Sequence, residues 1–186
     1  MKLIPMNLLS NQIERRWTVA NFRDLTTTKL DGIFEVYARN VKTGKTEKIE
    51  EANLVVAQAR TLMRDLVVGG NTSITKIQIG DMNKSLGDDI SDLGDPSYGD
   101  TELENSFFDK AYASREAITY DDRPAIKYKF VIEEDEANDS DNDDYERKLW
   151  CEYGLINNDG KIWNRKIKPI IKDNETEITI YWTLIF

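Results

Sequence analysis

Histidine is absent from the 186-residue chain, and cysteine occurs once, as Cys151. The first absence removes Ser–His–acid triads, Cys–His dyads, imidazole metal ligands and histidine proton shuttles together. The second excludes an intramolecular disulfide and leaves too few thiolates for structural zinc. No apolar run approaches the ~20 residues of a membrane-crossing helix, so no membrane partner is expected. Met1–Leu9 carries Pro5 and Asn7 among its apolar residues, too short and broken a stretch for a signal core. A basic excess is missing as well: 25 Lys and Arg stand against 34 Asp and Glu, a formal net charge of -9. Nucleic-acid binding depends on clustered cations, so no nucleic-acid partner is expected either. These absences describe a soluble protein made in a reducing cytoplasm, without a cofactor and without an enzyme's usual vocabulary.

What is present suits one globular domain. Hydrophobic residues make up 40% of the chain and aromatic residues 10%; a chain of this length buries roughly 70% of its unfolded surface. The pattern is mainly β, a β-sandwich-like antiparallel arrangement with one central α-helix. Residues Gly32 to Ile49 read as a hairpin around Lys42-Thr43-Gly44-Lys45. From Asn53 to Val68, apolar residues at Val55, Ala59, Leu62, Met63, Leu66 and Val67 fall near a 3.6-residue period. Asn53 is the predicted N-cap of this helix, and Gly69-Gly70 its stop. Ile74 to Gly80 is rich in β-branched residues and reads as a strand.

A polar stretch from Asp81 to Gly99 then forms a long loop, and loops of that length are commonly functional or disordered. Phe107 to Tyr120 reads as extended. Ala125 to Ile132 alternates, with Ile126, Tyr128, Phe130 and Ile132 on one face. An acidic run, Glu133 to Glu146, interrupts the sheet before Leu149 to Ile156 resumes it. Asn157-Asn158-Asp159-Gly160 predicts a turn into a partner strand, Lys161 to Lys168, with Pro169 ending that strand or marking an edge. Glu177 to Phe186 has the cleanest alternation, with Ile178, Ile180, Trp182, Leu184 and Phe186 sharing a face. Residues 32–186 are therefore read as the β domain. Residues 1–31 form an N-terminal arm whose scattered apolar residues, Leu8, Leu9, Ile13, Trp17 and Phe22, are the expected protein-interface contacts.

Three patterns invite a chemical reading. Asp139, Asp141 and Asp143 alternate like the start of a calcium loop, but Asp144 stands where that loop needs glycine and Trp150 where it needs glutamate. They are weak metal candidates, and a solvated acidic loop is the expectation. Trp150, Trp163 and Trp182 cluster near the C-terminus; core filling is their commoner use, and a sugar-binding platform the alternative. Cys151 has no histidine to activate it and reads as core packing.

Four segments, taken in order, resemble structural proteins of tailed-bacteriophage tails, of the baseplate, collar or tail-fibre attachment type. They are the helix Ala59–Gly70 with the strand Ile74–Gly80, the element Asp100-Thr101-Glu102-Leu103-Glu104-Asn105, the hairpin from Glu152 to Arg165 with its Glu152-Tyr153-Gly154-Leu155 start, and the turn at Lys172 followed by the strand Tyr181–Phe186. Together they cover roughly Asn53 to Phe186; the first fifty residues have no counterpart, and the acidic insert Glu133 to Glu146 is longer than usual for such proteins. The resemblance implies a virion protein assembled in the host cytoplasm, non-enzymatic, with other virion tail proteins as partners and a symmetric homo-oligomeric state. The alternatives are a carbohydrate- or receptor-binding module of a tail fibre and, behind it, a glycosidase using acidic residues.

Overall fold

The computed structural model describes residues 30–70, 72–139 and 146–186. Nine antiparallel strands are joined edge to edge: β1 (Asp31–Asn40), β2 (Thr46–Val55), β3 (Ile74–Gly80), β4 (Ser106–Ala111), β5 (Ser114–Tyr120), β6 (Arg123–Ile132), β7 (Lys148–Asn157), β8 (Ile162–Lys172) and β9 (Thr176–Ile185). One helix, α1 (Ala57–Val67), follows β2. The spatial order is β4-β3-β7-β8-β2-β1-β9-β6-β5. This ribbon folds into two facing layers, β2-β1-β9-β6-β5 and β4-β3-β7-β8, so the chain is the mainly β, antiparallel sandwich that the alternation predicts.

Both corners of the sandwich are made by chain that passes from one layer to the other, a standard way to turn a sheet corner. At one corner β2, paired with β1 along its length, ends by pairing Leu54 and Val55 with Arg165 and Asn164 of β8. Where β2 and β8 diverge, Lys166 and Lys168 reach across to Glu51 at 2.6 and 2.5 Å. At the other corner β4 and β5, the two ends of the ribbon, are separated only by Tyr112 and Ala113. The Ala113 N–H bonds Lys129 O of β6 at 2.7 Å. β4 and β5 remain the two ends of the sheet order, joined by this short link.

The core lies between the layers. Phe34 of β1 meets Tyr153 of β7 at 4.9 Å and Trp182 of β9 at 5.0 Å between ring centroids. Ile178, Ile180, Trp182 and Leu184 are all buried on β9, which sits between β1 and β6. On β7 the register shifts between Trp150 and Glu152. Two steps along β7, from Trp150 to Glu152, face three along β8, from Ile170 to Ile167, so the extra residue lies on β8 at Lys168–Pro169, and Trp150 and Tyr153 of β7 both join the core.

Several boundaries differ from the sequence expectation. The helix begins at Ala57 rather than near Asn53, because β2 extends ten residues and pairs Asn53 with Gly32 of β1. Asn53 is therefore no cap. Val56 holds the N-cap position without a side-chain bond, and the Ala57 N–H is satisfied by Tyr98 O at 2.8 Å. The predicted stop is present: Gly69 takes φ +88°, and the Gly70 N–H bonds Asp65 O at 2.7 Å. β8 does not end at Pro169 but continues to Lys172, and Pro169 falls at an edge position beyond the short β2–β8 pairing. Phe107 to Tyr120 is two strands with a bend rather than one extended run, and β1 takes in Asp31 from the expected arm. The rest of that arm, through residue 29, lies outside the described residues.

Candidate functional site

β7 is buried from Leu149 to Asn157, with no polar-out alternation. Its inner face packs in the core. Its outer face is covered by the long loop that runs from Asp81 to Asn105, and the contacts that hold this loop down form the most elaborate polar arrangement among the described residues.

At its centre is Glu152, fully buried. Its Oε1 accepts the Asn105 N–H at 2.9 Å, and its Oε2 accepts the Glu104 N–H at 3.1 Å. Arg165 of β8 donates to the same Oε2 from Nε at 3.2 Å and from Nη2 at 2.6 Å. The third guanidinium nitrogen, Nη1, pairs with Asp100 of the loop at 2.7 Å. Burial disfavours the Arg165 cation, but the Asp100 and Glu152 carboxylates outweigh it and raise its pKa. A carboxylate taken out of water costs several kcal/mol unless its lone pairs are met. Here two backbone N–H groups and one guanidinium meet them.

A second carboxylate fastens the start of the loop. Asp81 Oδ1 accepts the Asn83 N–H at 2.9 Å and the Asn105 side-chain amide at 2.7 Å, while Oδ2 pairs with Lys148 at 3.0 Å. Burial pushes the Asp81 carboxyl upward, but the bonds from Asn105, Lys148 and Asn83 win and hold it below its ordinary value. Apolar packing completes the latch. Leu103 is buried in a small cluster with Val56, Ile156 and Ile162. A Cβ on Gly154 would stand 3.2 Å from Leu103 Cδ2, and one on Gly80 would stand 2.6 Å from both Asn105 O and Glu152 Oε1. Gly80 is thus required by close approach to backbone, while at Gly154 a side chain would press on the tips of Leu103, Ile156 and Ile162.

Between these fastenings the loop is ordered by its own composition. Asp88, Asp89 and Asp100 side chains accept backbone N–H groups of Ser85, Ser91 and Ser97 at 2.7–2.9 Å. Such local bonds are what Asp and Ser supply in turns. Ile90 and Tyr98 remain exposed on its outside.

The segments that carry the resemblance meet here. Gly80 ends the first, Asp100 to Asn105 is the second, and Glu152, Gly154 and Arg165 belong to the third. Some fifty residues of chain separate Asn105 from Glu152, yet they share a hydrogen bond. The pairing of Glu152 with Arg165 carried no signal in sequence, because 34 acidic residues offer no means of choosing one.

A second buried charge anchors the acidic insert. Lys172, fully buried, donates to Glu134 O at 2.9 Å, Asn138 Oδ1 at 2.8 Å and Asp173 O at 3.1 Å. Burial brings its pKa down to about 8. Trp150 Nε1 donates to Ala137 O at 3.1 Å, and the Asp139 N–H bonds Glu146 O at 3.0 Å across the base of the insert. Of the weak metal candidates, Asp139 lies at this base, while Asp141 and Asp143 fall outside the described residues. Among the described residues no group of three His, Cys, Asp or Glu could hold a metal ion.

Trp150 and Trp163 are in the core, at 0% and 4% exposure, and form no surface platform. Cys151 is buried, and burial pushes its thiol up to about 11, far from a thiolate at neutral pH. Leu8, Leu9, Ile13, Trp17 and Phe22 lie outside the described residues. One cluster escaped the sequence reading: Tyr37 and Tyr181 meet edge to face at 5.6 Å on the outside of the β1–β9 pair, with Lys127 4.5 Å from the Tyr181 ring centre and Lys48 5.5 Å from that of Tyr37. Glu35 bridges the two lysines at 3.0 and 3.1 Å. The alternation of β1 and β9 marks these as outward positions, but which of them meet depends on strand order.

Comparison with family models, with curated proteins and with solved structures finds no match.

Proposed function

We propose that the chain is a virion structural protein of a phage tail, at a junction of the baseplate, collar or fibre-adaptor kind, acting by protein–protein assembly as a symmetric homo-oligomer. The observation that carries the reading is the convergence of three tail-protein-like segments on one latch. The latch uses its charged groups to hold a long loop rigidly against β7, not to expose them. The Glu152 carboxylate is enclosed by donors, and every resolved carboxylate shift among the described residues is downward. A glycoside-cleaving acid requires the opposite, a carboxyl held protonated near neutral pH. A loop fixed at both ends on a sandwich suits a subunit that must present one shape to its neighbours. In this reading the arm residues Leu8, Leu9, Ile13, Trp17 and Phe22 supply contacts between subunits.

Negative-stain microscopy of intact virions, labelled with antibody against this chain, tests the proposal. Label at a fixed place on the tail is the expected result. Intact particles that carry no label, while disrupted host lysate does, would overturn it.

A further inference from the structure

A predominantly apolar opening lies at the pole of the sandwich beside α1. It is a groove of about 350 Å³, walled by Met63, Leu66 and Val67 of the helix and by Ile126, Leu184 and Phe186 at the ends of β6 and β9. Its rim continues into open apolar surface: Leu66 is 42% exposed, Val67 88% and Val68 78%. Three adjacent exposed aliphatic side chains beside an apolar cleft are a surface that soluble proteins generally cover.

We propose that this groove receives the N-terminal segment, residues 1–29, of a second copy of the chain. The inference rests on the assembly reading above and gives it a seat. Charge is the first reason for this occupant. Residues 1–29 hold five of the 25 basic residues and two of the 34 acidic ones, so the segment is net +3 and the remainder of the chain net -12. Opposite charge draws the segment to the folded body as a whole; at the groove itself, where the charged lining residue is Arg115, the match is one of apolar side chains.

Position is the second reason. β1 begins at the same pole: Gly32 pairs with Leu184, a groove residue, and Arg123 bonds the Asp31 carboxylate at 2.7 Å. Segment and seat thus lie at one end of each molecule, so two poles brought together by a two-fold axis can each give and receive, the self-complementary form that symmetric dimers require. Length permits a neighbour as the donor. Phe22 stands eight residues before Leu30 and Leu8 twenty-two before it. At about 3.3 Å per extended residue these reach roughly 26 and 70 Å, against a radius of gyration of about 16 Å for a chain of this size. That upper limit is enough for the segment to cross an interface and reach the groove of a neighbour.

The full-length chain tests this through its mass and its susceptibility to trypsin at Arg15, Arg16 and Arg23. Size-exclusion chromatography with light scattering should give an oligomer, and cleavage at these sites should be slow. Leu66→Asp and Val67→Asp change exposed side chains and should leave the circular dichroism of the sheet unchanged. Each should bring the mass to that of a monomer and speed cleavage by roughly tenfold or more, since cleavage follows the open population. An oligomer that keeps its mass and protection in both variants overturns the groove as the seat and leaves the assembly reading standing. A wild-type monomer with a protected segment shows the segment in its own molecule and overturns the exchange. A wild-type monomer that is rapidly cleaved at every concentration overturns both.

Discussion

Glu152 shows how one buried side chain can set the course of a distant loop. Its carboxylate is shut off from solvent, so its stability depends on the loop N–H groups of Glu104 and Asn105 and on Arg165. Removing the guanidinium leaves an uncompensated buried charge, which typically costs ~3–5 kcal/mol. Arg165→Met is therefore expected to lose that much in urea denaturation and to open the 82–100 loop to proteolysis; a loss below ~1 kcal/mol would show that Glu152 is not held as described. Gly80→Ala probes the same point from the other side. The added methyl must stand 2.6 Å from Asn105 O and Glu152 Oε1, too close for any real contact, so the latch must shift. A cost of ~1–3 kcal/mol is expected, as for other overpacked sites, and unchanged stability would place the loop elsewhere.

Among the elements, β9 is central. It pairs with β1 on one side and β6 on the other, and every second residue from Ile178 to Leu184 enters the core. Trp182→Ala should cost ~3–5 kcal/mol and abolish soluble expression, a result read directly from the soluble fraction of a cell lysate. A well-folded variant would contradict the place of β9 in the core. The helix α1 depends on its surroundings in a different way. It has no side-chain cap, and its first N–H is met by Tyr98 of the long loop, so loop and helix stabilise one another.

At the scale of the whole molecule, charge pairing sets the acid limit of stability. Burial pushes Glu35 and Glu136 upward, yet lysine hydrogen bonds outweigh it, and Lys166 and Lys168 lower Glu51. With Asp81, these carboxyls have folded pKa values below the ordinary 4.5 for Glu and 3.8 for Asp. Their stabilisation is fully present above the ordinary values and is lost as pH falls through the lower folded ones. Melting temperature should stay nearly level from about pH 7 to 5 and decline below about pH 4; a maximum at pH 3 would contradict the pairing. The assembly proposal makes its own prediction. Deleting residues 2–25 should leave a soluble β domain by circular dichroism that no longer assembles, and retention of the full oligomer mass would show that the arm is not the clasp.

The sequence by itself determined most of the elements and their inward faces. Ile74–Gly80, the alternation of β6 and β9, the 157–160 turn and the Gly69 stop are local matters, set by side-chain period and by residues that tolerate particular backbone angles. Tertiary structure decided what period cannot encode. β7 shows no alternation because both its faces are covered, and only the fold reveals that a loop fifty residues earlier does the covering. Asn53 has the chemistry of a helix cap, but pairing with Gly32 draws it into β2. The choice of Glu152 among 34 acidic residues, of Arg165 as its partner, and of Gly80 as a place where the loop backbone leaves no room for a Cβ follows from strand order and register. These bring together groups distant in the chain, and electrostatics and packing act on distance in space, not along the sequence.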